Sequence, residues 1–329
     1  MICLGIEGTA HTFAAAVVSS KGEILSDVRD TYTTESGGII PMDAARHHEA
    51  VCHNVIKKAI AESREKKIDF VAFSRGPGLG PCLRIAHKSA VEYAEELRMN
   101  EKVLSVVGVN HCIAHLTSGT LFTKAKNPVY VYVSGANTQI IALESGRFRI
   151  FGETLDIGLG NALDKFGRAV GLGFPAGSKI ENLAKYGKYI PLPYSMKGMD
   201  LAFSGIITDC INKFSKGVKK EDLCFSIQEH LFAMLIEVSE RALAHCQKNE
   251  VLLIGGVAAN KRLCEMFEIM CKERSAKFNS VPLKYAGDNA VMIAWQGLLE
   301  YNAKAKGKQV KLITDIRPYE RTDEVGVAW

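Results

Sequence analysis

The sequence predicts an α/β fold built from two related lobes, and three observations carry that expectation. Apolar strand-like runs alternate with amphipathic helical stretches along most of the chain. One block of strand, small-residue turn, strand, glycine turn, strand occurs at the N-terminus, and the same order returns from Val129, as an internal repeat does. The length of 329 residues suits two domains or two halves of one large fold.

The first block, ICLGIEGTAHTFAAAVVSSKGEIL, reads as three short strands separated by turns at Gly8-Thr9 and Lys21-Gly22. Apolar periodicity then predicts a helix over Asp43–Glu62 and a buried strand over Ile68–Ser74. The glycine-proline loop RGPGLGP leads into a helix from Cys82 to Leu97, Val103–Val109 is a strand, and a helix starts near Asn110. The second block places strands at Tyr130–Val133, Gln139–Leu143 and Phe148–Phe151, with turns at Ser134–Thr138 and Ser145-Gly146. A long helix over Phe225–Cys246, a strand at Val251–Ile254, a helix from Asn260 and a final helix over Asn289–Tyr301 complete the reading. Lys216–Lys220 and Lys304–Lys311 read as exposed loops, and His47 and His48 as solvated or partly buried bystanders on a helix. The boundary falls near Ala125–Pro128, giving lobes of residues 1–125 and 126–329, with the C-terminal tail free to return to the first lobe.

Hydrophobic residues at 47% and charged residues at 23% are those of an ordinary globular protein that needs no staples to bury a core. A net charge of +5 permits nucleic-acid binding without arguing for it. The nine cysteines are odd in number, scattered and without a C-x-x-C pair, which argues against a disulfide framework or thiolate cluster and for a reducing compartment. The N-terminus lacks the pattern of a signal peptide, and no apolar run is long enough to span a bilayer. The expected location is cytoplasmic.

His111-Cys-Ile-Ala-His115 is the sharpest local signal. On a helix, residues i and i+4 share a face about 5–6 Å apart at Cβ, which suits two imidazoles on one metal ion. Cys112 occupies the place of the glutamate of an H-E-x-x-H peptidase, so the spacing points to metal and away from that protease. Two unrelated histidines at a helix start are the competing reading. Asp288 stands before the last helix; two histidines and a carboxylate leave one coordination position open, as catalytic sites do, but an aspartate there is also an ordinary N-cap. The turns Glu7-Gly8-Thr9 and Ser134–Asn137 are small enough for backbone N–H groups to approach a phosphate, or are simply hairpin turns. LLIGGVAAN ends a strand in Gly-Gly before a helix, another resting place for a nucleotide. Arg75–Pro81 lacks the G-K-[ST] of a P-loop. Glu181 follows a glycine cluster, where it can accept ribose hydroxyls or serve a helix end.

Taken in order, GIEGTA, SRGPGLGPCLR, GVNHCIAH, YVSGANTQ, GETLDIGLGNALDKFGR, MDLAFSGI, IGGVAANKRL, GDNAVMIAW and the closing RTDEVGVAW resemble one family over nearly the whole chain. It is the universal tRNA threonylcarbamoyladenosine transferase family, formerly described as O-sialoglycoprotein endopeptidases, in its archaeal–eukaryotic form, the catalytic subunit of the KEOPS complex. The resemblance implies the actin-like ATPase and sugar-kinase fold, two lobes around a nucleotide cleft. It implies one transition-metal ion, iron or zinc, on His111, His115 and Asp288, with Tyr132 as a possible fourth ligand. It also implies an adenine nucleotide (threonylcarbamoyl-AMP, AMP or ATP) held by Tyr132, Val133, Ser134, Gly135, Ala136, Asp164, Gly177, Glu181 and Asn260. The implied reaction moves the threonylcarbamoyl group to N6 of adenosine 37 in tRNAs reading ANN codons. The implied partners are the tRNA anticodon stem-loop, a small atypical kinase, a dimerising subunit and a kinase-binding subunit, and no membrane. Two positions depart from the family pattern: Ala136 replaces a second glycine in the phosphate turn, and Ala176-Gly177-Ser178 replaces Gly-Gly-Pro. The alternatives are a small-molecule kinase of the same fold, a metallopeptidase and a non-catalytic scaffold.

Overall fold

Three consecutive strands open the chain, β1 (Ile2–Glu7), β2 (Thr12–Ser19) and β3 (Ile24–Thr31), paired antiparallel as a meander. The computed structural model describes residues 1–34, 39–65, 67–97, 104–194, 196–307, 314–327 and 329. After α1 (Pro41–Ser63), β4 (Phe70–Gly76) joins β1 in parallel; after α2 (Gly80–Glu96), β5 (Ser105–Asn110) joins β4 in parallel and runs into α3 (His111–Phe122). The sheet order is β3-β2-β1-β4-β5. β2 and β4 are buried along their whole length and mostly apolar (Ser74 and Arg75 stand near the end of β4), as strands covered on both faces are, whereas β3 alternates buried and open residues as an edge does. The apolar stripe of α1 (Cys52, Val55, Ile56, Ala59) packs in one core with Ala86, Ala90, Tyr93 and Ala94 of α2.

The plan then repeats. β6 (Val129–Val133), β7 (Thr138–Glu144) and β8 (Arg147–Glu153) form a second antiparallel meander. There follow α4 (Leu159–Ala169), α5 (Gly177–Ala184), the small hairpin β9 (Met196–Lys197) and β10 (Asp200–Leu201), α6 (Ser204–Ser215) and α7 (Lys220–His245). β11 (Glu250–Ile254) adds parallel to β6; α8 (Lys261–Glu273), β12 (Lys277–Ser280), parallel to β11, and α9 (Leu283–Ala286) follow. The order β12-β11-β6-β7-β8 is the first sheet's topology again, a meander extended by two parallel strands. The repeat read from the sequence is therefore a repeat of topology.

The last helix, α10 (Ala290–Ala305), lies on β1, β2 and β4. Small residues make that contact: a Cβ on Gly5 would sit 2.5 Å from the Ala290 carbonyl oxygen, and one on Gly297 would sit 2.6 Å from Ala72 Cβ. The compact units are accordingly Met1–Leu121 with Asp288–Trp329, and Phe122–Gly287. The sequence reading placed Asp288 and the last helix in the second lobe and only the tail with the first; helix and tail together belong to the first unit.

Smaller differences have local causes. α10 continues one turn past Tyr301, so Lys304 is helical; residues 308–311 of that lysine stretch, and Val103 at the start of the expected strand, lie outside the described residues. Lys220 is the first residue of α7, not a loop residue. His48 is completely buried against Phe13 and burial lowers its pKa to about 4, while His47 pairs with Asp30 at 2.8 Å. No helix among the described residues is long and apolar enough to cross a membrane.

Candidate metal centre and adenylate turns

In the first unit, α3 starts directly at the end of β5. Asn110 closes the strand and turns back as the cap, its Oδ1 accepting the Ile113 N–H at 3.0 Å. This sets His111 at the first helical position and His115 one turn on, both buried, with ring centroids 4.7 Å apart. Asp288 meets them from the turn before α10. It is not that helix's cap: Asn289 is, accepting the Met292 N–H at 3.1 Å. Asp288 Oδ1 lies 3.3 Å from His115 Nε2 and 3.5 Å from His111 Nε2, and the three ligand atoms lie within 4.8 Å of one another.

Those separations are long for hydrogen bonds but fit a shared ion. Two donors each about 2.1 Å from a tetrahedral metal stand roughly 3.4 Å apart. The other ring nitrogen of His111 is also committed. Nδ1 lies 3.1 Å from Glu7 Oε2, and Glu7, fully buried at the end of β1, takes the Thr9 N–H at 2.8 Å and the Thr9 hydroxyl at 2.5 Å through Oε1. A carboxylate behind a histidine fixes the tautomer and aims the free nitrogen, the usual support of a metal-binding imidazole. Burial opposes charge on His111, but Glu7 and Asp288 outweigh it and hold its pKa well above the usual imidazole range. Burial keeps that of His115 below it. Burial would raise Asp288, yet the two histidines hold it well below the usual carboxylate range.

In the second unit the turn Ser134–Ala136 and Asn260 follow the C-terminal ends of the parallel neighbours β6 and β11, where open α/β sheets bind ligands. The turn after β6 is closed by Ser134 N–H on the Asn137 carbonyl (2.8 Å) and Asn137 N–H on Ser134 Oγ (3.1 Å). The N–H groups of Gly135 and Ala136, at its exposed tip, have no partner among the described residues. The first turn of α4 holds the loop from behind, Gly160 N–H donating to Ser134 O and Asn161 N–H to Gly135 O. Gly158 makes this possible, since a Cβ there would sit 2.4 Å from the carbonyl oxygens of both Gly135 and Ala136. After β11, Gly255 (φ 97°) passes so close to β6 that a Cβ would lie 2.3 Å from Val133 O.

Asn260 caps α8 through the Leu263 N–H (3.0 Å) and donates to Gln228 Oε1 at 3.1 Å. Glu181 Oε1 accepts the Lys261 N–H at 2.9 Å, so this carboxylate serves the start of α8, not its own helix. Asp164, its pKa raised by burial, accepts the Ala176 N–H at 2.7 Å and so shapes the entry to α5, where the space beside Gly177 is open. Tyr132 is buried within β6, opposite Gln139 and Ile254.

Comparison with known proteins identifies the family. The profile of the TsaD family, described as tRNA N6-adenosine threonylcarbamoyltransferase, matches residues 23–295. A protein of that name from Thermococcus sibiricus is 52% identical over 333 residues, covering all of both chains, and one from Archaeoglobus fulgidus is 50% identical over 331 residues, again covering all of both. The chain belongs to the tRNA N6-adenosine threonylcarbamoyltransferase family. A Methanobrevibacter smithii relative described as a probable bifunctional tRNA threonylcarbamoyladenosine biosynthesis protein is 50% identical, with this chain spanning 60% of its length. Among solved structures, HypF of T. kodakarensis superposes with a TM-score of 0.63 at 15% identity over 95% of this chain and 49% of its own. That likeness shows the actin-like ATPase and sugar-kinase fold.

Within this family frame, the structure adds residues that the sequence reading did not single out. Glu7 was read only as part of a turn, although a carboxylate closing an apolar strand is itself a sign of a buried partner. Asn110, directly before a histidine pair, carries a cap signature. Gly158 and Gly160, in DIGLGNALDK, matter for what they let approach, and that partner is not adjacent in sequence. Ala136, the departure from the family's second glycine, sits at the exposed tip of the turn.

Proposed function

We propose that this chain transfers the threonylcarbamoyl group of threonylcarbamoyl-AMP to N6 of adenosine 37 in tRNAs reading ANN codons, as the catalytic subunit of a KEOPS assembly. The full-length identity of 50–52% to relatives bearing the transferase name carries the reading. The convergence of His111, His115 and Asp288 at metal-site distances, with Glu7 behind, supports it.

In the reaction the N6 nitrogen bonds to the carbamoyl carbonyl carbon, the bond from that carbon to the phosphate oxygen breaks with its electron pair going to the departing AMP, and the proton lost from N6 passes to solvent. An iron or zinc ion on His111, His115 and Asp288 would supply Lewis acidity to oxygens gaining negative charge. Glu7 keeps His111 in the tautomer whose Nε2 faces Asp288. The Gly135 and Ala136 N–H groups receive the phosphate of the departing AMP, and because α4 holds their turn in place, little reorganisation accompanies charge development. Glu181, with one oxygen on Lys261, keeps the other for a ribose hydroxyl beside Asn260 and Gly177. The tRNA partner presents its base from a single-stranded loop, the form in which such an amine can be reached.

A single-turnover assay with tRNA and labelled threonylcarbamoyl-AMP tests this. Label should pass to tRNA in step with AMP release. Phosphorylation of a small molecule at the expense of ATP without acyl transfer would replace the reading with a kinase.

A further inference from the structure

Tyr319 is 92% exposed, more than any other large hydrophobic side chain among the described residues. It does not stand on a loose segment. Arg317 N–H donates to the Arg75 carbonyl at 2.6 Å, Pro318 O accepts the Gly78 N–H at 3.1 Å, and Glu320 is buried. Glu320 takes Arg75 Nε at 2.8 Å and Asn110 Nδ2 at 3.1 Å on one oxygen and Arg317 at 2.9 Å on the other. Gly76 lets the segment in, since a Cβ there would lie 2.0 Å from the Arg317 carbonyl oxygen. An aromatic side chain standing in water on a fixed backbone gains nothing for the fold, but that backbone has already lost the freedom that binding would otherwise remove.

Arginines lie along the same segment and beside it. Arg317 and Arg321 flank Tyr319 in sequence, each about half exposed. Arg84 is exposed, has no ion-pair partner among the described residues, and shares with Pro318 the space beside Gly80. The nearby carboxylates are largely committed: Glu320 is buried with Arg75, Asn110 and Arg317, Asp323 pairs with Arg321 at 3.1 Å, and Glu324 accepts the Arg321 N–H at 3.1 Å. Asp315 is the remaining exposed acid on the segment.

The same segment adjoins the metal centre. Pro318 bonds to Gly78, the next residue Leu79 donates its N–H to Thr9 O at 2.7 Å, and the Thr9 hydroxyl lies 3.4 Å from His111 Nδ1. Asn110, held by Glu320, is also the cap of the helix that carries both histidines.

We infer that Tyr319, with Arg84, Arg317 and Arg321, is a stacking platform for an unpaired nucleotide of the RNA loop that enters this site. An aromatic face takes a base of any sequence and neighbouring guanidinium groups take phosphates, the pairing used for single-stranded nucleic acid. Tyrosine and arginine also mark protein contacts, but the short path to the metal centre favours the RNA. The inference rests on the transferase reading.

Fluorescence anisotropy with the full chain tests it, using a short RNA hairpin with an unpaired loop and a blunt RNA duplex of equal length at one fixed ionic strength. Tyr319→Ala should weaken hairpin binding about 5- to 100-fold and leave duplex binding unchanged. Tyr319→Phe should bind as the parent does, because the ring and not the hydroxyl does the stacking. Arg84→Gln should weaken both probes and lower the slope of affinity against salt by about one. Metal content and melting temperature should stay at parent values in the Tyr319 variants. Unchanged hairpin affinity in Tyr319→Ala, equal loss for hairpin and duplex, or no hairpin binding by the parent would each overturn the platform. Parent protein that binds the hairpin through Tyr319 but transfers no acyl group would instead overturn the transferase reading.

Discussion

Replacing Asp288 by asparagine separates a metal ligand from a structural aspartate. The cap of α10 is Asn289, so the helix keeps its terminal hydrogen bond in the variant. Within the protein, the change disturbs the approaches of Oδ1 to the two histidines at 3.3 and 3.5 Å, long enough that weakening them costs the metal-free fold on the order of 1 kcal/mol. The effect on an ion is larger, because the coordination sphere loses a charged donor. Even changes one shell further out typically weaken metal affinity about 10- to 100-fold. With metal at a hundred times the parent Kd, binding stabilises the parent by about 2.7 kcal/mol. A variant weakened about 100-fold gains only about 0.4 kcal/mol at the same concentration. In melting temperature, a metal-dependent rise of about 5–10 °C should shrink to about 1 °C. The assay is differential scanning fluorimetry with and without zinc or ferrous iron, alongside elemental analysis and tRNA threonylcarbamoylation. Equal metal-induced shifts in variant and parent would show that Asp288 is no ligand, and the three-residue site would fall.

Three further outcomes follow from individual residues. Glu181→Gln keeps an acceptor for the Lys261 N–H, so melting should hold while AMP affinity falls by about 1–3 kcal/mol; unchanged calorimetric affinity would leave Glu181 only its place at α8. Gly158→Ala must push the Gly135–Ala136 carbonyls away, and should destabilise by about 1–3 kcal/mol and abolish AMP binding; calorimetry showing full affinity would remove that turn from the nucleotide site. Glu300 is buried, and burial, aided by Glu320 and opposed by Arg75 and Gln296, lifts its pKa from 4.5 to about 7. The fold thus favours its protonated form, and this stabilisation is present below pH 4.5 and lost as pH rises through 7, about 3 kcal/mol in all. Glu300→Gln should melt higher than the parent above pH 7, with the advantage vanishing toward pH 5; a pH-independent difference would contradict the assignment.

Much of this was legible in the chain itself. The repeated strand-turn-strand blocks, the long α7 and the His111/His115 spacing each rest on patterns a few residues to a few turns long, where period and small-residue punctuation act directly on the backbone. Family motifs then set each block in order. The bland alternative for Asp288 was equally legible, since any aspartate before a helix reads as a cap. That its neighbour Asn289 does the capping is visible only in the structure.

By itself, then, the sequence determined most elements of the first unit and the meander, long helix and parallel strand of the second, their twofold recurrence, and the residue types able to bind a metal and a nucleotide. Tertiary structure alone decided which of these meet. Asp288 reaches His115 across 173 positions because α10 settles on β1, and it settles there because Gly5, Ala290 and Ala294 leave room for the backbones to touch. Glu7 becomes the support of His111 for a related reason: β1 and β5 flank β4 in one sheet, so the ends of separate strands open on the same pocket. Local rules act through covalently linked neighbours, but close packing between distant segments depends on shape on both sides at once. No window of the sequence contains both sides.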